Sequence, residues 1–234
     1  MPEPAQRALP LLERAISLEP DYAAAQAAMA QCLHARYQRA GLLEADRQAA
    51  LHHARLAIAT GADDATALAA SGFVLGSEAQ DYEAAFDALD RALGLSPSSF
   101  LALSYSCIIR GWGGDYATSI AHGQQAIRLS PFDTALHLPY IGLAHAHYFA
   151  GDFDKAALAA GRCAQANPQF SPPWVIRTAA LAMLGRDEEA RTSAQRLLEL
   201  WSGFAIGALM AIDYTSIEHR EMLAQGLRRA GVPE

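Results

Sequence analysis

The chain has 234 residues, of which 52% are hydrophobic, mostly through alanine, the best helix former. Its net charge is −7 and Lys155 is its only lysine. With no basic stripe to release counterions from phosphates, nucleic acid and anionic membrane surfaces are excluded as expected partners.

The first residues, Met1-Pro-Glu-Pro, show no basic patch ahead of an apolar core, so no signal peptide is expected. Apolar runs such as 205–212 are too short to span a bilayer. A soluble, cytoplasmic location follows as the expectation. Cys32, Cys107 and Cys163 are odd in number and sit inside apolar helical patterns. They read as small core residues of a reducing compartment rather than a disulfide framework.

Residues 5–18 read as a second helix without its first, with Leu12, Ala15 and Ile16 able to pack on a helix beginning at Asp21. Paired helices are then predicted at 22–39 with 44–60, 63–78 with 81–94, 98–111 with 116–129, 136–150 with 153–166, and 171–184 with 187–201. Extra residues fall between Arg39 and Ala49 and at Phe132 to Leu136, where longer loops are expected. Ser171 reads as a cap followed by the first-turn prolines Pro172 and Pro173, with Trp174 next. A short apolar segment at 203–212 and a final helix from Ser216 to Ala230 form an atypical terminal unit.

The unit ends repeat. Ala15-Ile-Ser-Leu-Glu-Pro20, Ala92-Leu-Gly-Leu-Ser-Pro97, Ala126-Ile-Arg-Leu-Ser-Pro131 and Cys163-Ala-Gln-Ala-Asn-Pro168 share one form. Degenerate copies end at Ala62 and Ser202, and successive ends lie 42, 35, 34, 37 and 34 residues apart. Mid-unit turns repeat as well, at Gln80-Asp-Tyr, Gly114-Asp-Tyr, Gly151-Asp-Phe and Gly185-Arg-Asp. Glycine tolerates the left-handed backbone that ends a helix, Asp81, Asp115 and Asp152 can accept the free N–H groups of the next, and Pro resets the direction. The small residues Ala85, Ser119, Ala156 and Ala190 let paired helices approach closely.

A 34-residue helical-hairpin period is that of the tetratricopeptide repeat. The fold class expected is all-α, a right-handed superhelical α-α solenoid of about five hairpins with terminal capping helices. It is divided as a half repeat at 5–20, repeats at 21–62, 63–97, 98–131, 132–168 and 169–202, and a cap at 203–234, all in one domain.

Several stretches also carry a resemblance to a known family. They are Ala15-Ile-Ser-Leu-Glu-Pro-Asp-Tyr22, Ala126-Ile-Arg-Leu-Ser-Pro-Phe-Asp133, Gly142-Leu-Ala-His-Ala-His-Tyr-Phe-Ala-Gly-Asp-Phe153 and the ending Gly226-Leu-Arg-Arg-Ala-Gly-Val-Pro-Glu234. The chain resembles the C-terminal repeat region of proteobacterial class III adenylate/guanylate cyclases and of winged-helix transcription regulators. Asp64-Ala and Asp133-Thr depart from the Asp-Pro common there. The resemblance implies a sensory, oligomerisation or scaffolding module, and no cyclase chemistry carries over. Two readings of the unpaired first helix stay open, a segment of a longer polypeptide or a short protein, and the reading frame upstream of Met1 distinguishes them.

Candidate chemistry is sparse. His52 and His53 point about 100° apart on a helix, and His145, His147 and His137 do not converge, so no metal site and no cofactor is expected. Cys32 and His34 face different ways on a helix, which argues against a nucleophile–base pair. Gly111-Trp-Gly-Gly114 lacks the strand and lysine of a nucleotide loop and reads as an inter-helix turn. The pairs Asp63-Asp64 and Glu188-Glu189 suit helix N-termini. Arg110, in an otherwise apolar helix, either reaches its own helix's last carbonyls or contacts a ligand carboxylate.

The first helix of each hairpin lines the groove of such a repeat. Aligning the units places Gln31, His34, Phe73, Ser104, Ile108, Ile141, His145 and Tyr148 there, with Arg110 nearby, suited to an amphipathic helix or an extended apolar peptide. Ala27, Gln31, Ala69 and Phe73 occupy the positions of the Lys/Asn carboxylate clamp of chaperone-binding repeats, so no clamp is expected. Protonation of His145 would weaken binding below about pH 6.5. The expected function is a non-catalytic protein- or peptide-binding scaffold, with self-association as a second partner class. A ligand-sensing domain of a larger signalling protein is the alternative.

Overall fold

The computed structural model describes residues 3–39, 41–211 and 214–234. Among them are thirteen helices and no strand. They are α1 (Glu3–Leu18), α2 (Ala23–Arg39), α3 (Glu44–Thr60), α4 (Ala65–Glu78), α5 (Tyr82–Leu95), α6 (Phe100–Trp112) and α7 (Tyr116–Leu129). There follow α8 (His137–Phe149), α9 (Phe153–Ala166), α10 (Pro172–Met183), α11 (Asp187–Leu200), α12 (Ile206–Ala211) and α13 (Ile217–Arg229). The hairpin helices lie within two residues of the bounds that the spacing predicts. The reading of Met1 and Pro2, and that of Ile212 at the end of the apolar run, fall outside the described residues.

Two compact units divide the chain, Met1–Ile109 and Arg110–Glu234. In the first, α2 packs on α3 and α4, α4 on α5, and α1 on α2. In the second, α8 packs on α9 and α10, α10 on α11, and α13 on α10 and α12. The contacts α2–α4 and α8–α10 join first helices of successive hairpins, so each unit has one face built from first helices alone.

The mid-unit turns follow from local chemistry. Gly114 (φ 90°) and Gly151 (φ 81°) take the left-handed backbone, and Gln80 holds the same position at φ 51°, which costs a residue with a Cβ about 1 kcal/mol. The next residue caps the second helix: Asp81, Asp115 and Asp152 accept the backbone N–H groups of Ala84, Thr118 and Lys155 at 3.3, 3.3 and 3.4 Å. Ser171 departs from expectation and makes no side-chain cap bond; Pro172 and Pro173 carry no N–H groups there to be satisfied.

Close approach holds each hairpin shut. Ala85, Ser119, Ala156 and Ala190 have no exposed surface. Around them Leu68, Leu89 and Leu103 in the first unit, and Ile176, Leu181 and Leu197 in the second, are fully enclosed. Each of these stabilises the fold by roughly 2 kcal/mol. Of the extra residues after Arg39, those from Glu44 onward belong to α3. Helices α2 and α3 have 17 residues each, against 12 to 14 for the later hairpin helices. Arg36 grips buried Asp46 with two hydrogen bonds of 2.8 and 2.6 Å, tying the extended ends together.

Glycines in the two settings should respond oppositely to a methyl group. Gly94 is helical, exposed, and has open space where a Cβ would go, so Gly94→Ala should raise stability by about 0.5 kcal/mol. Gly114→Ala forces φ 90° on a residue with a Cβ and should lower stability by about 1 kcal/mol. Urea unfolding of both variants measures this, and equal effects would contradict the turn assignment.

Candidate binding site

In the first unit three first helices bring polar and aromatic side chains together. Gln31 of α2 donates through Nε2 to the Tyr105 hydroxyl at 2.7 Å. Tyr105, on α6, stacks on Phe73 of α4 with ring centroids 4.4 Å apart and planes 24° from parallel. His34 meets Phe73 edge-on at 5.4 Å and 83°. All four are half-buried, so each keeps surface toward solvent.

This platform is braced from below by Glu78, whose side chain is 2% exposed. Its carboxylate accepts from His34 Nδ1 at 2.5 Å and Gln38 Nε2 at 3.1 Å. Its carbonyl accepts two bonds from Arg47, and the Arg47 guanidinium also pairs with its carboxylate at 3.9 Å. A buried carboxylate needs such partners. Since a carboxylate only accepts, His34 carries a proton on Nδ1. Burial pushes the Tyr105 phenol up, against the opposing bond from Gln31, so Tyr105 retains an O–H to donate.

The remaining residues expected in the groove are placed differently. Ser104 has no exposed surface and donates to the Phe100 carbonyl at 2.7 Å, and Ile108 is buried. Both are enclosed, not on an open surface. Arg110 is buried and donates to Asp115 at 2.7 Å. Burial opposes ionisation of Asp115, but hydrogen bonds from Arg110 and Thr118 outweigh it and hold the carboxyl below the usual range. The capping aspartate of the next helix thus takes one arm of the guanidinium. An arginine one turn before a capping Asp is the signal that could have shown this.

Ile141, His145 and Tyr148 lie on the first-helix face of the second unit, and all three are buried. The chain's own end covers that face. The Tyr148 hydroxyl donates to the Met222 carbonyl at 2.9 Å. The His145 ring touches Trp112, Phe149 and Tyr214 at 5.7, 5.7 and 6.0 Å. His219 stacks on Phe149 with centroids 3.9 Å apart and 9° between planes. His219 Nε2 lies 2.7 Å from the Tyr116 hydroxyl and Nδ1 2.8 Å from Thr215 Oγ1. Thr215 Oγ1 is within 3.2 Å of the Trp112 carbonyl. A hydroxyl donates once, so Thr215 gives its proton to the carbonyl, receives that of Nδ1, and Tyr116 donates to Nε2. The set closes on a neutral imidazole.

Burial accordingly pushes His219 below its ordinary value. The same cause brings His145 down to about 4, against the bond to the Ile141 carbonyl. His145 therefore does not change charge near pH 6.5, which overturns its expected role as a pH sensor of an open groove. Burial likewise raises the Cys32 and Cys163 thiols, the reverse of what a thiolate nucleophile needs. No disulfide joins the three cysteines. His52 and His53 meet edge-on at 5.5 Å, and His53 Nδ1 bonds Gln26 at 2.5 Å. Among the described residues no group of three His, Cys, Asp or Glu side chains could hold a metal ion, and no helix is long and apolar enough to cross a membrane.

Solved structures share this architecture. The chain superposes on one in the crystal structure of the APC/C hetero-tetramer Cut9–Hcn1 with a TM-score of 0.70, 14% identity, 95% of this chain and 40% of that one. It matches PilW, described as a widely conserved type IV pilus biogenesis factor, with a TM-score of 0.65, 16% identity, 86% of this chain and 87% of that one. It also matches a tetratricopeptide repeat protein from Parabacteroides merdae with a TM-score of 0.58, 15% identity, 94% of this chain and 83% of that one. The chain thus spans less than half the length of the first of these. The fold is the all-α tetratricopeptide-type α-α solenoid. No family model and no curated protein matches the sequence, so the resemblance to cyclase and winged-helix repeat regions is without support.

The folded protein holds His145 neutral, whereas the unfolded chain protonates it near the ordinary histidine value of about 6.5. Stability is therefore full above that pH and falls as pH drops toward 4. The urea-derived stability should decline by roughly 2 kcal/mol between pH 7.5 and pH 5, and His145→Gln should flatten that decline. An unchanged slope in the variant would contradict the assignment.

Proposed function

We propose that this chain is a non-catalytic protein-interaction module that holds an amphipathic helix or extended apolar segment of a partner protein on the first-helix face of its first unit. The observation that carries this reading is the half-exposed Phe73–Tyr105 stack with Gln31 and His34 at its edges. Flat aromatic surface contributes most of the affinity of such sites, and a few polar tips set orientation. Tyr105 offers a hydroxyl donor, and His34 offers its Nε2 edge. The Glu78 brace fixes the His34 ring, so little side-chain freedom is lost on binding.

Two of the structural neighbours bear names that speak of assemblies, a hetero-tetramer and a pilus biogenesis factor. Their likeness supports the fold, and the function proposed here rests on the site.

The test compares proteins captured by the immobilised wild-type chain, by Phe73→Ala and by Leu158→Ala, an exposed position on α9. A specific partner should be retained by wild type and Leu158→Ala. With Phe73→Ala its affinity should fall at least tenfold, or about 1.4 kcal/mol, and Gln31→Ala should weaken it by a smaller factor. A partner held equally by Phe73→Ala would contradict the placement of the site.

A further inference from the structure

Helix α13 is amphipathic. Leu223, Ala224, Gly226 and Leu227 are buried, while Glu218, Glu221, Gln225, Arg228 and Arg229 face outward. It packs on α10, the first helix of the last hairpin. Its approach is close enough that a Cβ on Gly226 would lie 2.7 Å from Ala179 Cβ and 2.8 Å from the Ala179 carbonyl oxygen. The same segment crosses α8 and the end of α6 through the Tyr148–Met222 and Thr215–Trp112 hydrogen bonds and the Phe149–His219 stack. It therefore lies along a row of first helices, as a ligand helix lies in a groove.

The hairpins beneath it also have cores between their own two helices. Ala156, Ala160, Cys163, Ala190 and Leu197, the enclosed residues of α9 and α11, have no exposed surface, and their helices pair with α8 and α10. What the terminal segment adds is the burial of Leu223 and Leu227, one ring stack, a few hydrogen bonds and one flush glycine, laid over the first helices of these hairpins.

The geometry points to residues 214–234 as a built-in occupant of this face, which an amphipathic helix of a partner with leucine and glycine at the spacing of Leu223, Gly226 and Leu227 can replace. This stands apart from the platform on the first unit and from any partner held there. Replacement requires that α13 open while the hairpins stay folded.

Native-state hydrogen exchange on the wild-type chain reads that opening. Amides of α13 should exchange at least tenfold faster than those of α9, and equal protection of the two would overturn the proposal. The second measurement is binding of a labelled peptide of residues 214–234. His219→Ala, which removes the stack and two hydrogen bonds, and Gly226→Leu, which jams against Ala179, should each bind it at least tenfold more tightly than wild type. Affinity unchanged by either substitution would overturn the proposal. Should Gly226→Leu not fold, His219→Ala carries the comparison alone.

Discussion

Two helices joined by a short turn cannot hide their apolar sides from water by themselves. Each hairpin here solves this by letting its helices approach at a position where the side chain is a methyl or a hydroxymethyl group. Ala85, Ser119, Ala156 and Ala190 have no exposed surface, and a larger side chain at any of them would push two helices apart along their whole length. The other features follow from that approach. First helices are brought side by side, their outward side chains form one face in each unit, and whatever the protein binds has to meet that face.

The two units use the face differently. In the first, Gln31, His34, Phe73 and Tyr105 remain half-exposed, and a buried acid, Glu78, holds them in place from beneath. In the second, the equivalent positions on α8 are spent on the chain's own end. Tyr148 and His145 are enclosed, and His219 is wedged between Phe149, Tyr116 and Thr215. Desolvation keeps these imidazoles neutral. The cluster is thus a structural contact whose stability declines in acid, and it offers no charge to a ligand.

The hairpins were legible because their signals are local. Left-handed glycine, capping aspartate and chain-resetting proline recur within a few residues of each turn, and the 34-residue spacing places the small residues without reference to distant parts of the chain. Alignment of the turns puts Gln31, Phe73 and His145 in register on first helices, and it puts Ser104 and Ile108 there too, although both are enclosed. What covers such positions was not legible. Tyr148 meets Met222 across 74 residues, and Tyr116 meets His219 across 103. No periodicity encodes such pairings. Gly226, a glycine inside an otherwise good helix, was the one local hint of a close packing contact. Arg36 with Asp46 ties together two helix ends that the spacing already places at 39 and 44.

The contrast between an open face and a self-covered one is the centre of this account, and hydroxyl-radical footprinting measures it residue by residue on the intact chain. Histidine and aromatic side chains occur on both faces, so intrinsic reactivity is matched. The account predicts ready oxidation of His34 and Phe73 and protection of His145 and Tyr148. Oxidation of His145 and Tyr148 at rates equal to those of His34 and Phe73 would contradict it.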